Sequence, residues 1–315
     1  MSGAGGVATG VVGRQVGSLV GQVVGGSAAT GSFINIGPVP TLPPCSDPNV
    51  DIVILGFLGF LTDIAFSGSK YPRLQLSSAL ASEQTAQMKL SAPGLGYYPT
   101  LETDIKGCQR VYGGEDAITL ADTLWSLFGP TGGLDNALWP FGTSVLDGFD
   151  LDKSDTLPLN FPTLAATLRA HFTEDLSKDY FLSAAPACAF PSSSIPLAYL
   201  LQCNFVWPQF FNNPSCEIGS DGFADTVAQW SRALEAGVAP LLRASSAVRT
   251  HVFVGAPYQE IGGGTPEGAG VLGLAVKGLA AGNLGGLIFW DGPEGRENVQ
   301  DELSILGWAK RGLWG

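Results

Sequence analysis

Histidine and cysteine are scarce in this chain, at two and five of 315 residues. Neither occurs as CxxC or HExxH, so no metal site is expected to carry the chemistry. Basic residues are few as well: 16 Lys and Arg stand against 28 Asp and Glu, a net charge of −12. A nucleic-acid backbone or an anionic membrane surface calls for a cationic face, so neither is expected as a partner. Charged residues of both signs reach only 14%, while apolar residues make up 45%. That balance favours a large core over lasting disorder. The longest uncharged stretch, Gln15 to Ser46, is too rich in Gly, Ser, Thr and Pro to read as a membrane span. A basic start followed by a Leu-rich run is missing too, so no secretory signal is visible.

What the chain has in quantity is punctuation. Its 43 Gly and 21 Pro imply many turns between short elements. Gly13, Gly17, Gly21 and Gly25 recur at a spacing of four, which would leave a smooth groove along any helix formed there. Glycine-dense helices are weak in water, and residues 1–44 read as a disordered, Gly-rich, low-complexity leader. Residues 45–315 read as one folded domain, a size within the usual range.

From Cys45 onward, short apolar runs alternate with amphipathic stretches. Val50–Leu58 is a nearly continuous apolar run, as a strand buried on both faces requires. Val145–Asp152, Tyr180–Ala185, Phe205–Phe211, His251–Gly255 and Leu284–Trp290 read as further strands. Ala117–Phe128, Phe161–Phe172 and Ala224–Leu234 carry apolar residues at helical spacing. Strands alternating with helices imply parallel pairing through right-handed crossovers. Several strands end in polar or aromatic residues, as in a (β/α)8 TIM barrel, whose sites gather at the C-terminal mouth. A doubly wound open sheet is less consistent, because no Gly-rich dinucleotide loop follows the first strand.

The segment Asp147-Gly-Phe-Asp150-Leu-Asp152-Lys-Ser154 concentrates the chemistry. Side chains alternate along a strand, so positions 150, 152 and 154 share a face. Two carboxylates on the inward face of a barrel strand repel each other and shift each other's protonation. Three aspartates in six residues are also compatible with a solvated turn.

This segment resembles the DGxDxDxE signature of glycoside hydrolase family 18, and the chain is similar to its class III, hevamine-type chitinases of the fungal and plant kind. VDIVILGFL, DIKGCQ, ADTLWSLFGP, YFLSAAPAC, VWPQFFNNPSC, VFVGAP and GGLIFWDG agree in order and spacing, from about Cys45 to the C-terminus. The resemblance implies substrate-assisted, retaining hydrolysis of chitin or chito-oligosaccharide, an exception to the usual two-carboxylate scheme. It implies no cofactor, a monomer and an extracellular location. In such a site a glutamic acid protonates the glycosidic oxygen and the sugar's own N-acetyl group attacks the anomeric carbon. An aspartate orients that group, and a tyrosine hydroxyl on the sixth strand bonds its carbonyl. Carried over, the two aspartates fall on Asp150 and Asp152, the sixth-strand polar residues on Gln209, Asn212 and Asn213, and the sugar platform on Trp290. Cys45 is implied to pair with Cys108, and Cys188 with Cys216, which points to an oxidising compartment.

The departures bear on activity. The acid's position is Ser154, whose hydroxyl cannot usefully donate a proton, and the tyrosine's position is Phe211. General acid catalysis contributes about 10²–10⁴-fold, so the expectation is binding without efficient hydrolysis. A weakly active endochitinase that uses Asp155, which strand alternation turns to the other face, is one alternative. A hydrolase inhibitor or other interaction protein on the same barrel is another. The family's first and third strands have no clear counterpart, so both are expected to be missing or irregular, with Val7–Val12 and Val111–Tyr112 as candidate substitutes. Cys203 reads as a small buried apolar residue, Trp207 as core, and His171 and His251 as structural.

Overall fold

A computed structural model of the chain describes residues 29–35, 49, 51–61, 73–76, 96–102, 114–130, 145–152, 160–238, 249–258, 265–290 and 299–314. Eight parallel strands close into a ring. They are β1 (Ala29–Asn35), β2 (Ile52–Leu61), β4 (Gly96–Glu102), β5 (Gly148–Asp152), β6 (Phe181–Ala185), β7 (Phe205–Val206), β8 (His251–Pro257) and β9 (Leu284–Trp290). Each pairs with the next, and β9 returns to β1, which also pairs with β2. A short strand β3 (Arg73–Leu76) lies antiparallel against the far end of β2. Closure leaves no open parallel edge, which is how a barrel escapes unpaired backbone.

The first and third barrel strands are irregular rather than empty. Ala29–Asn35, inside the stretch read as a leader, fills the gap between β2 and β9. Gly96–Glu102 fills the gap between β2 and β5, with a register break between Leu55 and Leu58. Val7–Val12 and Val111–Tyr112 lie outside the described residues. Neither strand has a strong local signal: β1 reads ATGSFIN and β4 reads GYYPTLE. Unpaired N–H and C=O groups on both flanks supply the reason to recruit them.

Two apolar layers follow from strand alternation. Inside the ring sit Ile52 and Ile54 of β2, Phe181 and Ala185 of β6, Phe205, Trp207, Phe253 of β8 and Ile288 of β9. Phe205 and Trp207 stack at 6.0 Å and both meet Phe253 edge-on. Outside the ring, Phe149, Leu151, Leu182, Ala184, Val252, Val254, Leu287 and Phe289 face the helices. Those helices are α1 (Gly114–Phe128), α2 (Phe161–Phe172), α3 (Leu197–Leu200), α4 (Phe223–Val238), α5 (Pro266–Lys277) and α6 (Ile305–Trp314). The spacing of α1 predicts a stripe of Ile118, Ala121, Leu124, Trp125 and Phe128; the last four are buried, but Ala117 takes the place of Ile118, which is exposed. Thr265 caps α5 by accepting from the Gly268 N–H, with Pro266 in the first turn. α5 and α6 cross without space for side chains: a Cβ on Gly312 would lie 2.1 Å from the Gly270 carbonyl oxygen, and one on Gly273 2.3 Å from that of Ala309.

One strand is shorter than the sequence predicts. The run Phe205–Phe211 gives only Phe205–Val206, because Pro208 has no N–H to continue the ladder. The backbone steps over it, with Trp207 N–H donating to Ala184 and Gln209 N–H to Pro186.

Buried polar groups at the N-terminal floor of the barrel are mostly satisfied. Asp147 sits 2.7 Å from Lys178 Nζ, and Ser231 donates to Asn283, which donates to the Thr250 carbonyl. His251 differs: it is fully buried beside Phe205, and neither ring nitrogen makes a hydrogen bond among the described residues. His171, by contrast, lies on α2 between Asp122 at 2.7 Å and Glu174 at 2.8 Å and stacks on Trp125.

Candidate functional site

β5 carries the acid pair because its two faces divide cleanly. Phe149 and Leu151 pack outward against the helices, so Asp150 and Asp152 project into the ring. Asp150 is fully buried and Asp152, one pleat nearer the mouth, is half-buried. Such a carboxylate is stable only with donors, and the adjoining strand provides one. Ser183, the register partner of Asp150 on β6, donates to Asp150 Oδ1 at 2.6 Å.

Asp152 is held from further round the ring. Gln209 Nε2 donates to Asp152 Oδ1 at 2.9 Å and to the Ala185 carbonyl at 3.1 Å. The Gln209 backbone is fixed by bridges to Ala187 and Gly255 on either side. The amide therefore reaches across the C-terminal end of β6 from a rigid position. Two hydrogen-bonded pairs, Ser183 with Asp150 and Gln209 with Asp152, thus sit one above the other toward the mouth.

Phe211 is half-buried just beyond Gln209, and Asn212 is exposed with a left-handed φ of 58°. Asn213 holds its own loop: its Oδ1 accepts from Ser215 N–H and Oγ, and its N–H donates to Glu217. Trp290 ends β9, in register with Pro257. Ser154, Asp155, Cys45 and Cys108 lie outside the described residues.

Cys188 and Cys216 are joined by a disulfide that ties the loop after β6 to the loop after β7. Trp230 Nε1 donates to the Cys188 carbonyl at 2.7 Å beneath it. Cys203 is a buried thiol, with its ionisation pushed well above the usual range by burial. Burial does the same to Tyr199, and the Asp150 charge raises both further.

The sequence pattern alone does not single out Ser183. Its signal is a hydroxyl at an inward position of the apolar run FLSAA, two strand positions from a core Phe and a core Ala. Glu102, the register partner of Asp152 on β4, is equally inconspicuous. No sequence pattern pairs residues 50 apart across two strands.

A closed ring of parallel strands with a buried acid and a second, half-buried acid stacked toward its C-terminal mouth defines a (β/α)8 protein with an acid pair at the end where such barrels gather their sites. No family model matches the chain. It is 33% identical over 273 residues to Endochitinase 3 of Metarhizium robertsii, across 78% of this chain and 80% of that protein. A chitinase from Ipomoea carnea superposes with a TM-score of 0.66 at 21% identity, over 90% of this chain and 100% of the other. A xylanase and α-amylase inhibitor protein from Scadoxus multiflorus does so with a TM-score of 0.63 at 20% identity, over 91% and 98%. These two share the fold. The chain belongs to the chitinases of glycoside hydrolase family 18.

Proposed function

We propose that this protein binds chitin or N-acetylglucosamine oligomers at the barrel mouth and hydrolyses them poorly or not at all. The observation that carries the reading is the acid pair Asp150 and Asp152, held by Ser183 and Gln209, with Ser154 two residues further along the sequence. Asp152 offers an acceptor for an acetamido N–H. Gln209 and Asn212 border the sugar, Trp290 supplies its stacking platform, and Asn213 shapes the loop between them. Proton delivery is what the site lacks: Ser154 stands where the acid would be, and Phe211 where a tyrosine hydroxyl would steady the acetamido carbonyl. The disulfide and the family relationship support an oxidising, extracellular setting, and the ligand needs no cofactor.

The test is titration of the folded full-length chain with N-acetylglucosamine oligomers by calorimetry, with hydrolysis followed in the same sample. Binding without turnover is expected. Turnover that disappears in Asp155→Ala would replace this reading with a weak endochitinase. If folded protein neither binds nor cleaves, the mouth is not the functional site. The fold it shares with a hydrolase inhibitor would then direct attention to the outer surface.

A further inference from the structure

The outer helices of a barrel ordinarily turn charged side chains to solvent, and a helix that is apolar all round is normally covered all round. Between Glu267 and Lys277, α5 carries only Gly, Ala, Val and Leu. One face of it is accounted for: Ala269, Leu272, Gly273 and Val276 are buried, with Gly273 at the crossing with α6. The opposite face is bare. Val271 and Leu274 are 66% and 62% exposed, with exposed Ala275 beside them. Side chains three and four residues apart share a helix face, so Glu267, Val271 and Leu274 form one stripe. Lys277, three residues beyond Leu274, flanks its far end. The apolar surface reaches toward half-buried Trp308 of α6, whose ring lies against Gly270, and toward exposed Val299, next to the Gln300 carbonyl that accepts from Trp308 Nε1.

We propose that this face is the contact between two copies of the chain, related by a two-fold axis that sets α5 antiparallel to the same helix of the second copy. The stripe is self-complementary in that arrangement. Glu267 and Lys277 are centred on residue 272, and Val271 and Leu274 on the peptide bond that follows it, so one axis serves both pairs. It places Val271 beside the partner's Leu274 and Glu267 within reach of the partner's Lys277, and each contact occurs twice. The two charges of one helix lie about 15 Å apart along its axis, which leaves the apolar centre between them. Neither makes an ion pair among the described residues. Their places in the first and last turns also suit the helix dipole, so association, and not stability, is the quantity that tests them. The net charge of −12 on each chain opposes association, and salt of about 0.15 M screens that repulsion. The contact lies on the outer helices, is independent of the sugar-site reading, and replaces the monomer that the family resemblance implies.

Sedimentation velocity of the full-length chain at about 0.15 M salt, from about 1 µM to about 300 µM, covers the range a small interface requires. A monomer–dimer equilibrium is expected. Val271→Asp puts a carboxylate at the centre of the contact and should leave monomer alone. Glu267→Lys or Lys277→Glu alone should weaken the dimer about tenfold, since each turns two exposed attractions into two repulsions. The two reversals together should bring the dissociation constant back to within about threefold of the wild type. If Val271→Asp does not fold, Leu274→Gln, neutral and a good helix former, must weaken the dimer instead. A chain that stays monomeric at the highest concentration overturns the proposal and assigns the face to a different protein. A dimer that Val271→Asp leaves intact also overturns it, because the contact then lies elsewhere. Single charge reversals without effect, or a double reversal that restores nothing, overturn the antiparallel pairing.

Discussion

His251 offers a direct measure of how dry the barrel floor is. Burial, and next the Arg249 charge, press its pKa from the ordinary 6.5 down to about 4, against a weaker opposing pull from the Asn283 backbone. The sign follows from linkage. Above pH 6.5 the ring is neutral in both states and contributes no pH dependence. Below that, the unfolded chain takes up a proton that the folded chain refuses, so stability falls as pH falls, until the folded ring also titrates near pH 4. The gap between the two values, at about 1.4 kcal/mol per pH unit, makes about 3 kcal/mol in full, most of it already lost at about pH 4.5. Carboxylates titrate over the same range, so the quantity to measure is a difference between proteins. Urea unfolding of wild type and His251→Phe at about pH 7 and about pH 4.5 isolates it. Wild type should lose about 2–3 kcal/mol more than the variant between the two conditions. Parallel losses, within about 0.5 kcal/mol, would mean that the imidazole is hydrated or paired in solution and that the floor is not sealed.

The α5–α6 crossing predicts a steep glycine dependence. Gly312→Ala should cost about 3 kcal/mol in denaturant unfolding, since its Cβ would meet the Gly270 carbonyl, whereas Gly278→Ala, whose nearest neighbour is 3.4 Å away, should be nearly neutral. Joint replacement of Cys188 and Cys216 by Ser should lower stability by about 3.5 kcal/mol, the loop-closure value for a separation of 28 residues; an unchanged thermal midpoint would contradict the bond. Ser154→Glu combined with Phe211→Tyr should raise chitin-oligomer hydrolysis by at least about 10²-fold, read as released reducing ends. No gain would place the deficit elsewhere than in proton delivery.

Parts of this molecule are legible in the amino-acid sequence because they rest on local rules. The inward pairing of Asp150 with Asp152 needs only strand alternation, and β5 obeys it. The buried stripes of α1 and α2 follow the helical period. Five of the six predicted strands keep most of their length, and the sixth shrinks at a proline that is itself visible in the sequence. Ala29–Asn35 is not legible in the same way, because its seven residues carry no alternation and include a glycine.

The chain by itself determined its acidic, turn-rich composition, the strand-and-helix alternation, the family and the serine at position 154, all of which are properties of single residues or short windows. Only the tertiary structure decided how the barrel closes, since an edge strand takes its partner from unpaired backbone and not from side-chain pattern. It also decided which groups hold the acids. Ser183 and Gln209 lie 33 and 57 residues from the carboxylates they serve, and neighbouring strands of a parallel sheet are brought into register by crossovers whose length carries no mark of the contact they create.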